Sequence, residues 1–98
     1  MTTGTRTEQI ATILDRVLAI AGSGPQDLEW QRRYRDTDEL IRDLTAHAAR
    51  VRRGDLGAVA DLSFLFAPTG ALCEIAAGSG WLAEYTALAN RLDPLLRG

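Results

Sequence analysis

The chain has 98 residues, enough for one domain near the lower size limit for a self-sufficient hydrophobic core. Apolar residues make up 46% of it, aromatic residues only 6%, and the formal net charge is −2. Abundant alanine and leucine with few aromatic residues favour helices over sheets. We therefore expect an all-α fold: a single-domain compact bundle of four to five helices over residues 1–98, with one long central helix.

The charges are unevenly distributed along the chain. Residues 30–53 hold seven arginines and four acidic residues, whereas residues 54–98 hold two arginines and five acidic residues. The basic excess in the middle is small and interleaved with carboxylates, which would repel a nucleic acid duplex. We expect no nucleic acid partner, and the acidic C-terminal half suits a surface that binds another protein.

Cysteine usage and hydropathy indicate where the protein resides. A single cysteine cannot form an intramolecular disulfide, which is typical of a reducing compartment. No segment approaches the roughly 20 apolar residues that a membrane span needs, and the polar N-terminal residues lack the apolar core of a signal peptide. We expect a cytoplasmic protein without a membrane partner.

The first helix has a recognisable start. Residues 1–6 are small and polar and are expected to be disordered, whereas Thr5 with Glu8 three positions later has the form of a capping box. This pair predicts that the helix begins at Arg6 or Thr7. Apolar residues then recur at spacings of three and four: Ile10, Ile13, Leu14, Val17, Leu18 and Ala21.

The middle of the chain shows the longest helical periodicity. We interpret residues 26–53 as one long helix that ends at Gly54, because the apolar positions alternate between spacings of four and three. The alternative is a break at Asp36 to Glu39, a sequence that also resembles a helix start. The periodic positions are Trp30, Tyr34, Thr37, Ile41, Leu44, Ala48 and Val51.

A third helix is predicted after Asp55, which can cap it, and should end near Ala67 because Pro68 disfavours the helical conformation of the preceding residue. Its apolar residues surround more than one face, which predicts burial on several sides. They are Leu62, Phe64, Leu65 and Phe66.

Two shorter helices complete the prediction. The fourth runs from Thr69 or Gly70 to Ala77 and is ended by Gly78. The fifth is capped by Ser79 and closed by the sequence Asp93-Pro94.

The sequence contains no catalytic motif. His47 and Cys73 are the only residues of their types, so a zinc site would have to take its other ligands from carboxylates, and no CxxC or HxxxH spacing is present. A nucleophilic pair of Cys73 and His47 is conceivable, but a buried thiol fits the apolar neighbours of Cys73 better. We expect no catalytic residues, no metal and no cofactor.

The remaining candidates are carboxylates and tryptophans. Most C-terminal carboxylates lie opposite the apolar stripes, where an exposed charged face can also serve as an interface. Trp30 and Trp81 each fall on an apolar stripe, so core packing is the first explanation for both. Trp81 also follows a glycine turn at a helix start, with Glu84 on the same side one turn later. The predicted partner-binding residues are Asp61, Glu74, Trp81 and Glu84.

The order of the elements has a counterpart among known proteins. The chain has fewer than 100 residues and contains a first helix with Ile13 to Ile20, a long second helix that ends with the sequence Arg52 to Leu56, and shorter apolar helices. Over residues 7–90 this pattern resembles small helical bacterial immunity proteins. It is similar in particular to those that neutralise type VI secretion effectors hydrolysing NAD and NADP.

The resemblance implies a non-enzymatic protein that binds its cognate toxin and occludes the toxin's active site or substrate channel. It contains no signature motif, so it assigns no functional residue. The alternative is an accessory or regulatory protein that forms a homodimer through the long helix. A small enzyme built around His47 and Cys73 is the third interpretation.

Overall fold

A computed structural model describes residues 5–24, 26–29, 33–67 and 70–97. Within these ranges the chain forms five helices and no strand, which confirms the predicted all-α bundle. The helices are α1 (Arg6–Gly22), α2 (Thr37–Arg52), α3 (Leu56–Leu65), α4 (Ala71–Ser79) and α5 (Leu82–Arg97).

Helix α1 begins where the capping pattern predicts. The Thr5 hydroxyl accepts a hydrogen bond from the Glu8 amide at 3.2 Å, and Arg6 is the first helical residue. The predicted disorder of residues 1–6 therefore does not extend to Thr5 and Arg6. Residues 1–4 lie outside the described ranges.

The helices enclose one hydrophobic core in a body of 38 × 23 × 23 Å. Helix α1 packs mainly against α2, while α5 packs against α1, α3 and α4. Each helix therefore buries its apolar side against at least one neighbour. The largest fully buried side chains are Ile10, Leu14, Val17, Leu40, Leu44, Val51, Leu62, Leu65, Leu72, Ile75 and Leu92.

The prediction of one helix over residues 26–53 is wrong, and the alternative break at Asp36 is correct. Helix α2 begins at Thr37. Asp36 has extended dihedral angles, φ −149° and ψ 170°, and its side chain accepts a hydrogen bond from the Glu39 amide at 2.7 Å. This is N-cap geometry, so the capping signal prevails over the apolar periodicity. The bundle thus has no long central helix, since α1 and α5 match or exceed α2 in length.

The segment before α2 makes one tertiary and one local hydrogen bond. The Asp27 amide donates to the Ser79 hydroxyl at 2.8 Å, and the Glu29 amide donates to the Asp27 carboxylate at 3.0 Å. Tyr34 is nevertheless buried, so an apolar position of the predicted stripe contributes to the core from a loop. Trp30 lies outside the described residues.

Replacing Asp36 with alanine should lower the free energy of unfolding by about 1 kcal/mol, because the Glu39 amide loses its capping partner. Urea denaturation followed by circular dichroism measures this change. Asp38→Ala is the matched control: it removes a first-turn carboxylate that is not the cap and should cost less than half as much. Equal losses in the two variants would contradict the assigned cap.

The end of α4 differs from the prediction by two residues. The helix continues through Gly78 to Ser79 and is ended by Gly80, whose φ of +86° is a left-handed conformation that glycine adopts without strain. Ser79 does not cap α5 as predicted, because its hydroxyl accepts the hydrogen bond from the Asp27 amide.

The predicted stop at Asp93-Pro94 is also wrong, because α5 continues through Pro94 to Arg97. Proline removes one helical hydrogen bond, but Pro94 and Asn90 are exposed, so water can hydrate the carbonyl that lacks its donor. The Arg6 guanidinium donates to the Leu95 carbonyl and, at 3.0 Å, to the Leu96 carbonyl. These contacts join the start of α1 to the end of α5.

Every helix in the described part of the chain is too short or too polar to cross a lipid bilayer.

Candidate functional site

Helix α3 has a buried side and an exposed side. Ala58, Leu62 and Leu65 occupy one side at spacings of four and three, and all three are buried. Phe64 lies on the other side with 78% of its surface exposed, compared with 43% for Leu82 of α5.

The exposure of Phe64 contradicts the prediction that α3 is buried on several sides. Phe66 is buried as expected, but Phe64 is not. A helix that is apolar all round is normally covered all round, because exposed apolar surface carries a free-energy cost in water. Within this chain no described element covers Phe64.

The residues around Phe64 define a small surface, which we call the α3 outer face. Its members lie three or four positions apart along one side of the helix, except for two that are adjacent, and all are exposed. The Arg50 and Asp55 side chains lie beside the glycine, and the single carboxylate lies one turn before the phenylalanine. The α3 outer face consists of Gly57, Ala60, Asp61 and Phe64.

Two ion pairs border the α3 outer face. Arg50 of α2 donates through Nε to Asp55 Oδ2 at 2.9 Å and through Nη1 to Asp61 Oδ2 at 3.2 Å. Asp55 also caps α3 by accepting from the Gly57 amide at 2.9 Å. The Arg50 guanidinium, followed by the Gly57 amide, holds the pKa of Asp55 below its usual range. The same hydrogen bonds, to Asp55 and then Asp61, raise the pKa of Arg50.

His47 lies behind these ion pairs and is 4% exposed. Its Nδ1 is 2.7 Å from the Asp43 carbonyl oxygen, which can only accept, so Nδ1 carries the proton. Nε2 is 3.9 Å from Asp61 Oδ2 and has no hydrogen-bond partner in the described part of the chain. The imidazole therefore lies between α2 and the Asp61 side chain of α3 and is almost completely shielded from solvent.

The predicted partner-binding carboxylates do not form one acidic face. Asp61 belongs to the Arg50 ion pairs, whereas Glu84 of α5 pairs with Arg16 of α1 at 3.2 Å. Glu74 is exposed on α4, and its carboxylate forms no ion pair with any described residue. Two of the three carboxylates are thus already neutralised by arginines from other helices.

Trp81 is a core residue, contrary to the prediction that it faces a partner. It is 7% exposed, and its Nε1 donates to Gln26 Oε1 at 2.8 Å. Its amide donates to the Ala76 carbonyl at the end of α4, and its carbonyl accepts from the Tyr85 amide at the start of α5. Trp81 shares one polar cleft with Glu84, but it offers a partner almost no surface.

The structure does not bring Cys73 and His47 together. Cys73 lines a cleft with Tyr85 of α5, whereas the His47 ring contacts Asp43 and Asp61. In the described ranges, no three His, Cys, Asp or Glu side chains lie close enough to hold a metal ion.

Sequence reasoning overlooked Phe64 as a functional candidate. One signal was available: α3 is only ten residues long and has a single charged residue, Asp61. A short helix of this composition on a small domain has more apolar surface than its neighbours can cover. The pattern could not show which apolar residue would remain exposed.

Comparisons with protein-family profiles, curated proteins and solved structures gave no match to this chain.

Proposed function

We propose that this chain is a non-enzymatic binding protein that docks a protein partner on the α3 outer face, with Phe64 as the anchor. The observation that carries the proposal is the 78% exposure of Phe64 on the outer side of α3, a helix with a single charged residue. Aromatic residues are enriched among the side chains that dominate binding energy at interfaces. Burying an exposed phenylalanine contributes about 1.5–3 kcal/mol.

The surroundings of Phe64 support docking by a protein. Ala60 presents little side chain, so a partner can approach the helix there, whereas the Arg50 and Asp55 side chains lie against Gly57. Arg50 and Asp61 supply a polar rim, and an ion pair as exposed as theirs contributes little to stability. A partner can therefore form its own ion pair with Arg50 or Asp61 and lose little stability from breaking the existing one. Such contacts would surround the apolar contact at Phe64 with polar groups that select the partner.

The partner we propose is a cognate bacterial toxin, in line with the resemblance to immunity proteins, and the place of action is the cytoplasm. Arg50, Asp55 and Asp61 together carry one net negative charge beside Phe64. An enzyme that handles phosphate-bearing substrates needs a positively charged cleft, towards which an acidic surface is steered. Docking there would occlude the toxin's active site or its substrate channel.

The alternative of a homodimer through a long helix loses its structural basis. That helix was expected over residues 26–53, but α2 spans only Thr37–Arg52. Four apolar residues of α2 are buried within the same chain and are therefore not available to pair with a second copy. They are Leu40, Leu44, Ala48 and Val51.

Replacing Phe64 with alanine should abolish protection while leaving the fold intact. The assay co-expresses this protein with the toxin encoded beside its gene and measures growth. Wild type should relieve the growth arrest, and the variant should not. The reason is that the variant should bind the toxin at least about tenfold more weakly, as expected when a central aromatic anchor is removed. Because Phe64 is exposed, its loss should change the free energy of unfolding by only about 0.5 kcal/mol.

Leu82→Ala is the matched control, since Leu82 is 43% exposed on a different helix. It should protect as well as wild type. Growth arrest that wild type cannot relieve, or a neighbouring gene that encodes no toxin, contradicts the immunity function. Full protection by the Phe64 variant contradicts the docking surface alone.

A further inference from the structure

His47 is the only histidine of the chain, and it is buried directly beside the α3 outer face. Its ring lies next to Asp61, a member of that face whose side chain is 49% exposed. Histidine is the side chain that ordinarily changes its charge between pH 5 and 8. A proton taken up inside the bundle would therefore act on a residue of the proposed docking surface.

The neutral ring of His47 cannot form a hydrogen bond with Asp61. Because Nδ1 holds its proton against the Asp43 carbonyl oxygen, Nε2 carries a lone pair and can only accept. The Asp61 carboxylate is also an acceptor, and its Oδ2 lies 3.9 Å from Nε2, beyond hydrogen-bond distance. Nε2 is buried and has no other partner in the described part of the chain. The two groups thus lie side by side without bonding.

Carboxylates lie near both nitrogens of the ring. Asp43 Oδ1 is 3.5 Å from Nδ1, just as Asp61 Oδ2 adjoins Nε2. Each carboxylate also has a cation nearby, Arg33 Nε at 3.9 Å from Asp43 and Arg50 Nη1 at 3.2 Å from Asp61, and the Tyr34 hydroxyl donates to Asp43. Among the described residues, no carboxylate of α1, α4 or α5 comes within 4.0 Å of either ring nitrogen.

We propose that His47 is a pH-sensitive latch for the α3 outer face. A proton on Nε2 turns that nitrogen into a donor, which forms a charge-assisted hydrogen bond with Asp61. Burial opposes a charged ring, but the two adjacent carboxylates favour it. Asp61 Oδ2 has to approach by about 1 Å to reach the usual length of such a bond, and its half-exposed side chain has room to do so.

The consequence for a partner rests on the proposed function. Arg50, Asp55 and Asp61 carry one net negative charge beside Phe64, and a protonated His47 cancels it. Asp61 is then also bonded within the chain and less available to a basic group of the partner. A positively charged toxin cleft should therefore bind more weakly at pH 5.5 than at pH 8, and the difference should be larger at low salt than at high salt.

The latch can be tested on this protein alone by NMR. Because the chain has one histidine, ring ¹⁵N signals report on His47 without ambiguity. As the pH falls from 8 to 5, the ring protonated at Nδ1 should give way to a doubly protonated ring, and the Asp61 carboxyl ¹³C signal should change with the same midpoint. Asp61→Ala should weaken the proton affinity of His47 by about threefold, the scale of one partly exposed ion pair.

Asp15→Ala is the matched control. It removes a carboxylate of similar exposure, 50%, which pairs with Arg52 and not with His47, so the titration of His47 should match wild type. Circular dichroism verifies that both variants fold. A ring that stays neutral down to pH 5, or an Asp61 variant that titrates like wild type, overturns the latch. Neither result involves the toxin, so the docking function would still stand, and a failed toxin assay would leave the latch intact.

Discussion

Replacing Trp81 with alanine should lower the free energy of unfolding by about 3–5 kcal/mol, a large share of the stability of so small a domain. The indole is 7% exposed and meets the Tyr85 ring edge-on, with centroids 6.1 Å apart and an interplanar angle of 73°. Truncation leaves a cavity and also frees the buried oxygen of Gln26. Chemical denaturation followed by circular dichroism measures the loss.

The Trp81 variant distinguishes a core residue from an interface anchor. Glu84→Ala is the control from the same cleft, and it removes only an exposed ion pair with Arg16, worth about 0–1 kcal/mol. If Trp81→Ala kept wild-type stability and lost only partner binding, the sequence-based assignment of Trp81 to the interface would stand. The buried position would then be contradicted.

Replacing Gly70 with alanine should destabilise the protein by about 1–3 kcal/mol through overpacking. A Cβ atom at this position would lie 2.8 Å from the Leu65 carbonyl oxygen, 2.9 Å from that of Phe64 and 3.1 Å from that of Ala67. All three atoms belong to the backbone at the end of α3, so no side-chain rotation relieves the clash. The connection between α3 and α4 must shift instead.

Gly22→Ala is the matched control for the same chemical change. Gly22 is the last residue of α1, and nothing lies within 4 Å of a Cβ atom there. Alanine should raise stability there by about 0.5 kcal/mol, since it reduces the conformational freedom of the unfolded chain. Thermal melts of both variants test the contrast. A Gly70 variant as stable as the Gly22 variant would contradict the tight connection.

Local signals predicted the parts of the fold that depend on neighbours in sequence. The Thr5 cap and the α2 stop at Gly54 require only a few adjacent residues, and the structure confirms both. The failures arose where distant contacts decided the outcome. Ser79 accepts a hydrogen bond from the Asp27 amide, 52 positions away, instead of capping α5 as its local sequence predicted.

At the candidate site too, tertiary packing decided what the local sequence could not. Phe64 and Trp81 are both large aromatic residues in apolar surroundings, and no sequence pattern distinguishes their exposure. Packing reversed the expectation: Trp81 is enclosed at the junction of α4 and α5, while Phe64 projects from α3. Asp61 was predicted as an interface residue, and it does lie on the α3 outer face, but its pairing with Arg50 appears only in three dimensions.

The sequence by itself determined that this chain is an all-α bundle, where α1 and α3 begin, and which helix sides are apolar. These properties follow from side-chain chemistry within one or two helical turns. Only the tertiary structure decided which apolar side chains remain uncovered, which carboxylates are neutralised, and which carboxylate adjoins the buried imidazole. Each of these depends on which helices pack together, and five short helices leave some of their surface unmatched.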